Sequence, residues 1–173
     1  MAFIVEDGTG ISNANSYTDV AFADAYFVER GVSEWTGTST EKQQALVKAT
    51  DYIETKYIGQ FGGVIEFPDT PQALSFPRVR LYDQNGLLVS GIPAKLQQAT
   101  CEYALRSKSA QLLADPAIDK SGTAVKERSS KIGPLEEKVV YASVSGSVSL
   151  AEYPAADRLL QFYLQSRDGE VIR

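Results

Sequence analysis

The 173 residues carry 17 Lys+Arg against 22 Asp+Glu and no histidine, for a net charge of −5. That balance excludes a chain that coats nucleic acid by charge alone. The missing histidine excludes Ser-His-Asp and Cys-His catalysis and His-ligated metal sites, and the single Cys101 excludes an intrachain disulfide and a thiolate zinc site.

The length suits one domain, and an apolar fraction of 43% supports a packed core. Residues 1–69 hold 11 acidic and 4 basic side chains, net −7, whereas residues 70–173 hold 11 and 13, net +2. One surface is therefore expected to be acidic. The start, Met1 to Gly10, has no basic region and no long apolar run, so no signal peptide is expected. No stretch has the uncharged length of a membrane span. These features predict a soluble chain made in a reducing cytoplasm.

In chain order, Ala2–Val5 reads as an extended lead, followed by a Gly/Ser/Asn-rich loop. Ser16 or Thr18 is expected to cap a helix over about 19–30, with Ser16 and Asp19 as a capping box. Its apolar face is Val20, Ala23 and Phe27, and Gly31 stops it. Trp35 is expected under the helix ends. A second helix follows Thr38-Ser39-Thr40, with Leu46, Ala49, Tyr52, Ile53 and Tyr57 as its stripe and Gly59 as its end. Residues 59–79 hold three glycines and three prolines, too many for a helix. A connection this long usually has a job or a partner.

Asp83-Gln84-Asn85-Gly86 between Leu81-Tyr82 and Leu87-Leu88-Val89 is a hairpin signal, because Asn and Gly tolerate positive φ. Pro93 then suits the first turn of a helix. No Gly or Pro interrupts the chain from there to Leu113, and Leu96, Ala99, Tyr103, Ser107 and Ala110 recur at helical spacing. This is the expected central post. Val125–Lys131 and Leu135–Tyr141 flank Gly133-Pro134 and read as a second hairpin. Residues 142–150 alternate Ser with small or apolar residues and read as a flexible or edge-strand segment. Pro154 opens a last short helix, and residues 166–173 form a polar tail.

The pattern thus predicts a mainly α fold: a small bundle of about four helices around one long central helix, with one or two β-hairpins or extended loops. One domain is expected over 1–165, with hairpin insertions at about 59–92 and 125–141 and a C-terminal arm at 166–173.

Few residues carry chemistry. Ser39-Thr40-Glu41-Lys42 matches the S-x-x-K nucleophile pattern, but its partner motifs are absent, and a helix cap explains it. Glu136 and Glu137 are adjacent in a strand and so point to opposite faces. Arg78 and Arg80 straddle Val79 and could bind phosphate, but an ion pair with the acidic first half is expected. Cys101, Trp35, Tyr52 and Tyr103 read as core. No catalytic residue, cofactor or metal is expected. The Gly/Pro loop 59–79 and the uncharged, β-prone run 139–151 suit a subunit that finishes its fold against neighbours. Phe61, Val64, Ile65, Phe67, Val144 and Val148 are the candidate subunit contacts.

An ordered set of segments carries a resemblance. It begins with Ile4-Val5-Glu6-Asp7-Gly8-Thr9-Gly10, Asn13-Ala14-Asn15-Ser16-Tyr17 and Ala23-Asp24-Ala25-Tyr26. Trp35-Thr36-Gly37 and Ala49-Thr50-Asp51-Tyr52-Ile53 follow, then Gln72-Ala73-Leu74-Ser75-Phe76-Pro77-Arg78 and Ala99-Thr100-Cys101-Glu102-Tyr103-Ala104-Leu105. Lys131-Ile132-Gly133-Pro134-Leu135-Glu136 and Tyr153-Pro154-Ala155-Ala156-Asp157 complete it. The set resembles the head-to-tail connector, or adaptor, proteins of tailed-bacteriophage necks. That family also carries the label of DnaT-like single-stranded-DNA-binding proteins.

The connector resemblance implies a virion protein made in the host cytoplasm and a homo-oligomeric ring, usually twelvefold, under the portal. It implies the portal and a downstream neck or tail-completion protein as partners. DNA would pass through a lumen that should not grip phosphates, which suits the acidic balance. It also implies a C-terminal region that docks into the portal, with Phe162, Val171 and Ile172 as anchors and residues 160–173 ordering on contact. The DnaT-like label implies the rival class, a replication factor binding single strands through basic grooves and stacking aromatics.

Overall fold

A computed structural model describes residues 2–68, 71–113, 125–131, 136–141 and 150–165. Contacts group the chain into two units, Met1–Leu112 with Glu152–Arg173, and Leu113–Ala151. The first unit holds helices α1 (Val20–Glu29), α2 (Ser39–Lys56), α3 (Ala94–Ser107) and α4 (Pro154–Leu160), with a 3-10 turn over Gln161–Tyr163. It also holds four short strands: β1 (Val64–Ile65), β2 (Arg78–Val79), β3 (Leu81–Tyr82) and β4 (Leu88–Val89). The second unit holds β5 (Val125–Lys131) and β6 (Glu136–Tyr141). Antiparallel pairs form between β1 and β2, β3 and β4, and β5 and β6.

The fold is therefore mixed α/β, which overturns the expected mainly α bundle. The hairpin expected at Leu81–Val89 is present as β3–β4, the punctuated stretch before it contributes the β1–β2 pair, and α3 is shorter than its apolar pattern. Among the described residues α2, with 18 residues, is the longest helix; α3 has 14 and stops at Ser107, not Leu113. Ser107 and Ser109 explain the stop. Their hydroxyls donate to the carbonyls of Ala104 and Arg106, which competes with continuation of the helix.

Helix entry depends on side-chain oxygens. Asp19 itself caps α1 by accepting from the Phe22 N–H at 2.7 Å. The expected caps serve otherwise: the Ser16 hydroxyl donates to the Thr18 carbonyl, and the Thr18 hydroxyl is buried with no partner. Thr38 caps α2 in a reciprocal box with Glu41. Thr38→Ala is expected to cost about 1 kcal/mol, and Ser39→Ala only a few tenths, in urea denaturation. Equal losses would misplace the cap.

The core lies where α3 packs against α2 and α4. The expected α2 stripe is buried throughout: Leu46, Ala49, Tyr52, Ile53 and Tyr57. α3 buries Leu96, Ala99, Cys101 and Tyr103. Tyr52, Tyr103 and Tyr153 pack mutually with ring centroids 4.9–6.0 Å apart. α1 buries Ala23, Tyr26 and Phe27, and Trp35 lies on Phe27 at 5.0 Å with its indole N–H on Asp24. Trp35, Tyr52 and Tyr103 are core, as expected.

Candidate functional site

The two ribbons of the first unit are the surface that the core does not explain. α2 ends at Tyr57, and Gly59, at φ 68°, turns the chain away. Phe61 then enters the core at 2% exposure. It meets Phe76 edge-on at 5.0 Å, and Phe76 meets Tyr17 and Tyr163 in the same way. Gly63 follows at φ 65°, where a Cβ would lie 2.4 Å from the Val79 carbonyl oxygen. No other residue fits this approach of β1 to β2. Arg78 locks the crossing: its guanidinium donates to the carbonyls of Phe61, Gly62, Gly63 and Ser75. The expected ion pair of Arg78 is replaced by these carbonyls, and burial lowers the pKa of the guanidinium. Arg80 occupies positive φ, 56°, at the corner between β2 and β3.

β1 pairs Val64 with Val79 and Ile65 with Arg78; β3 pairs Leu81 with Val89 and Tyr82 with Leu88. Asp83 closes the second ribbon. Its carboxylate accepts from the Asn85 and Leu87 N–H groups, which hold its pKa below the usual range. Leu81 is the inward residue, 2% exposed. Arg78 and Val89 are half-buried, and the remaining strand residues are exposed. Among the described residues, eight large apolar side chains are strongly exposed, and six of them lie here: Val64, Ile65, Val79, Tyr82, Leu87 and Leu88. Exposed clusters of this kind mark interaction sites rather than random surface.

The candidate contacts divide accordingly. Val64 and Ile65 are on this surface, 52% and 42% exposed. Phe61 is a correction: an aromatic ring in a Gly-rich stretch fills the core and is closed to a neighbour. Phe67 is half-buried at the Gly10 backbone, where a Cβ would lie 2.4 Å from its ring. Phe162 lies within the described residues. It is half-buried, with the Lys95 ammonium 3.0 Å from its ring centroid. The chain around it is tied down, since Gly62 N–H donates to Tyr163 O, Gln165 N–H donates to Gln60 O, and Phe61 bridges to Leu164. Residues 160–165 are thus part of the folded unit, not an arm that waits for contact. Val144, Val148, Val171 and Ile172 lie outside the described residues.

Three carboxylates that the sequence reading passed over organise the unit. Glu6, 1% exposed, accepts from the N–H groups of Gly8, Gly10 and Ile11 at 2.8–2.9 Å. Glu54 accepts from the Tyr17 hydroxyl and from both the N–H and hydroxyl of Ser75. Burial, then the Glu54 charge, pushes the Tyr17 hydroxyl well above its ordinary pKa. Asp157 collects Lys56, Tyr57, Tyr103 and the Tyr153 N–H. The only hints were an acid beside glycines at Glu6 and an acid at helical spacing from Tyr153.

Among the described residues, several of the cations that could grip a single strand are committed to other partners. Lys42 pairs with Asp24, Lys56 with Asp157 and Arg106 with Glu102. Arg30 lies 3.6 Å over the Tyr26 ring, and Lys108 donates to Thr36 O. Ser39 and Lys42 form no nucleophile pair, since Lys42 serves Asp24. Among the described residues no group of three or more metal-ligating side chains occurs, and no helix is long and apolar enough to cross a membrane.

A family model described as "Putative DnaT-like ssDNA binding protein" matches residues 1–173. No curated protein and no solved structure matches the chain. The match supports the second of the two classes the sequence resemblance carries, and it says nothing of a connector. It spans the whole sequence, and the chain belongs to this putative DnaT-like single-stranded-DNA-binding family.

Proposed function

We propose that this chain is a structural subunit of a phage neck, a head-to-tail connector that assembles as a ring of about twelve copies under the portal. The carrying observation is that six of the eight exposed large apolar side chains among the described residues lie on the β1–β4 ribbons, next in sequence to the buried Phe61–Phe76 ring pair. The ordered segments shared with neck adaptors support the same reading. Its partners are further copies of itself, the portal and a downstream neck protein, and its place is the virion. It passes DNA without specific grip and carries out no catalytic step.

Leu87→Asp/Leu88→Asp tests this reading. Both side chains are more than 60% exposed, so thermal stability should hold. Loading onto portal-bearing capsids should be lost. Full loading by the variant would remove the ribbons from the assembly surface.

The second reading, single-strand binding, is favoured by the family match. Fluorescence anisotropy with a single-stranded oligonucleotide at physiological salt separates the two. The connector reading expects only weak, non-specific binding, because the net charge is −5 and, among the described residues, the aromatic rings other than Tyr82 are buried or half-buried. Submicromolar affinity would establish the second reading.

A further inference from the structure

The second unit poses a problem of its own. Its described part is one two-stranded ribbon, β5 with β6, paired from Val125↔Tyr141 to Lys131↔Glu136. Each strand has one paired edge and, among the described residues, no third strand on the other. A lone two-stranded hairpin is marginal in water, and its open edges are templates for another chain.

The two edges are not alike in sequence. β5 carries three cations, Lys126, Arg128 and Lys131, and one anion, Glu127, for net +2. β6 carries Glu136 and Glu137 against Lys138, for net −1. Pairing β5 with a second β5 sets cation-rich strands together, and β6 with β6 sets anion-rich strands together; both are unfavourable. Pairing β5 of one copy with β6 of the next is favourable. Such a contact uses two different surfaces, so it is heterologous, and heterologous contacts generate rings when the rotation closes.

We propose that β5 of one copy pairs edge-to-edge with β6 of the next, so that the hairpins form a continuous intersubunit sheet. The occupant of each open edge is a second copy of this chain. The inference rests on the ring-forming reading above and adds the contact that joins the copies.

The test uses the full chain. Sedimentation velocity over a concentration series reports self-association, and hydrogen exchange reports the amides of 125–141 in the same samples. Those amides should exchange ~tenfold or more slowly in the assembled form than in the monomer. Lys126→Glu/Arg128→Glu and Glu136→Lys/Glu137→Lys should each weaken association by ~tenfold or more, and an equimolar mixture of the two should restore it. If a variant fails to fold, the wild-type exchange experiment decides alone. Assembly with unchanged exchange at 125–141 overturns this inference and leaves the ring intact. A chain that stays monomeric at its highest soluble concentration also overturns it. Loading of that monomer onto portal-bearing capsids would then still support the connector reading, whereas failure to load together with tight oligonucleotide binding would sink both.

Discussion

Phe76→Ala should destabilise the first unit by about 3–5 kcal/mol, the range for truncating a fully buried phenylalanine. Phe76 has no exposed surface and touches three other rings, Tyr17, Phe61 and Tyr163, at centroid distances of 5.0–6.2 Å. Those rings come from the loop before α1, the start of the ribbons and the C-terminal turn, so one cavity loosens three segments. Arg78, two residues on, holds the ribbon crossing through four carbonyls, and its position depends on Phe76. Urea denaturation measures the loss. Phe61→Ala should act on the same cluster, and the double variant should lose less than the sum, because the two rings share one contact. Val64→Ala, on the exposed ribbon, should be nearly neutral. A Phe76→Ala loss below about 1 kcal/mol would mean that the ribbons are anchored elsewhere.

Much of the helical frame was legible because it follows from periodicity. The α2 stripe and the α3 residues Leu96, Ala99 and Tyr103 recur every three or four positions, and burial followed. The β5–β6 hairpin was legible for the same reason, through strand-like runs about Gly133-Pro134. The first ribbon was not, although the second was signalled by Asn85-Gly86 between two apolar runs. β1 and β2 are two residues each and pair across twelve intervening positions, so neither leaves a pattern. Arg78 was misread because its partners are carbonyls, which every residue has. Phe61 was misplaced because an aromatic in a Gly-rich stretch suits a core and an interface equally. Only the bridge to Leu164 and the ring of Phe76 decide between them. Asp157 was invisible because Lys56 lies 101 residues away in sequence. The exposed valine and isoleucine of β1 were the part of the candidate surface that could be read, since no core stripe claimed them.

Acid should unfold the first unit partly through Asp157, and Asp157→Asn should both weaken the fold and blunt that sensitivity. The carboxylate sits on α4, whose seven residues are too few to hold a helix alone. It accepts from the Lys56 ammonium at 2.8 Å, the Tyr57 hydroxyl at 2.9 Å and the Tyr103 hydroxyl, and from its own helix start at Tyr153. It thereby ties α4 to α2 and α3. Burial raises its pKa, but Lys56 and the hydroxyls together outweigh burial and hold it below the usual aspartate value. A depressed carboxylate stabilises the fold above its unfolded pKa of about 3.9, and that stability is lost as pH falls through the lower folded value. The tyrosines set the opposite limb. Burial first, and the nearby Asp157 charge, push Tyr57 up to about 12, and Tyr103 rises further. Raised values stabilise the fold below the unfolded tyrosine pKa of about 10, and that contribution is lost as pH rises through the folded values. A plateau between about pH 5 and 9 follows from these two signs. At pH 7, Asp157→Asn should cost about 1–3 kcal/mol, since it removes the counter-charge that a part-buried Lys56 meets here and weakens three hydrogen bonds. Urea titrations at pH 7 and pH 3 are the check. The gap between wild type and variant should shrink in acid, because protonation removes from the wild type what the substitution removes from the variant. A gap of equal size at both pH values would show that Asp157 holds α4 by shape alone and not by its charge.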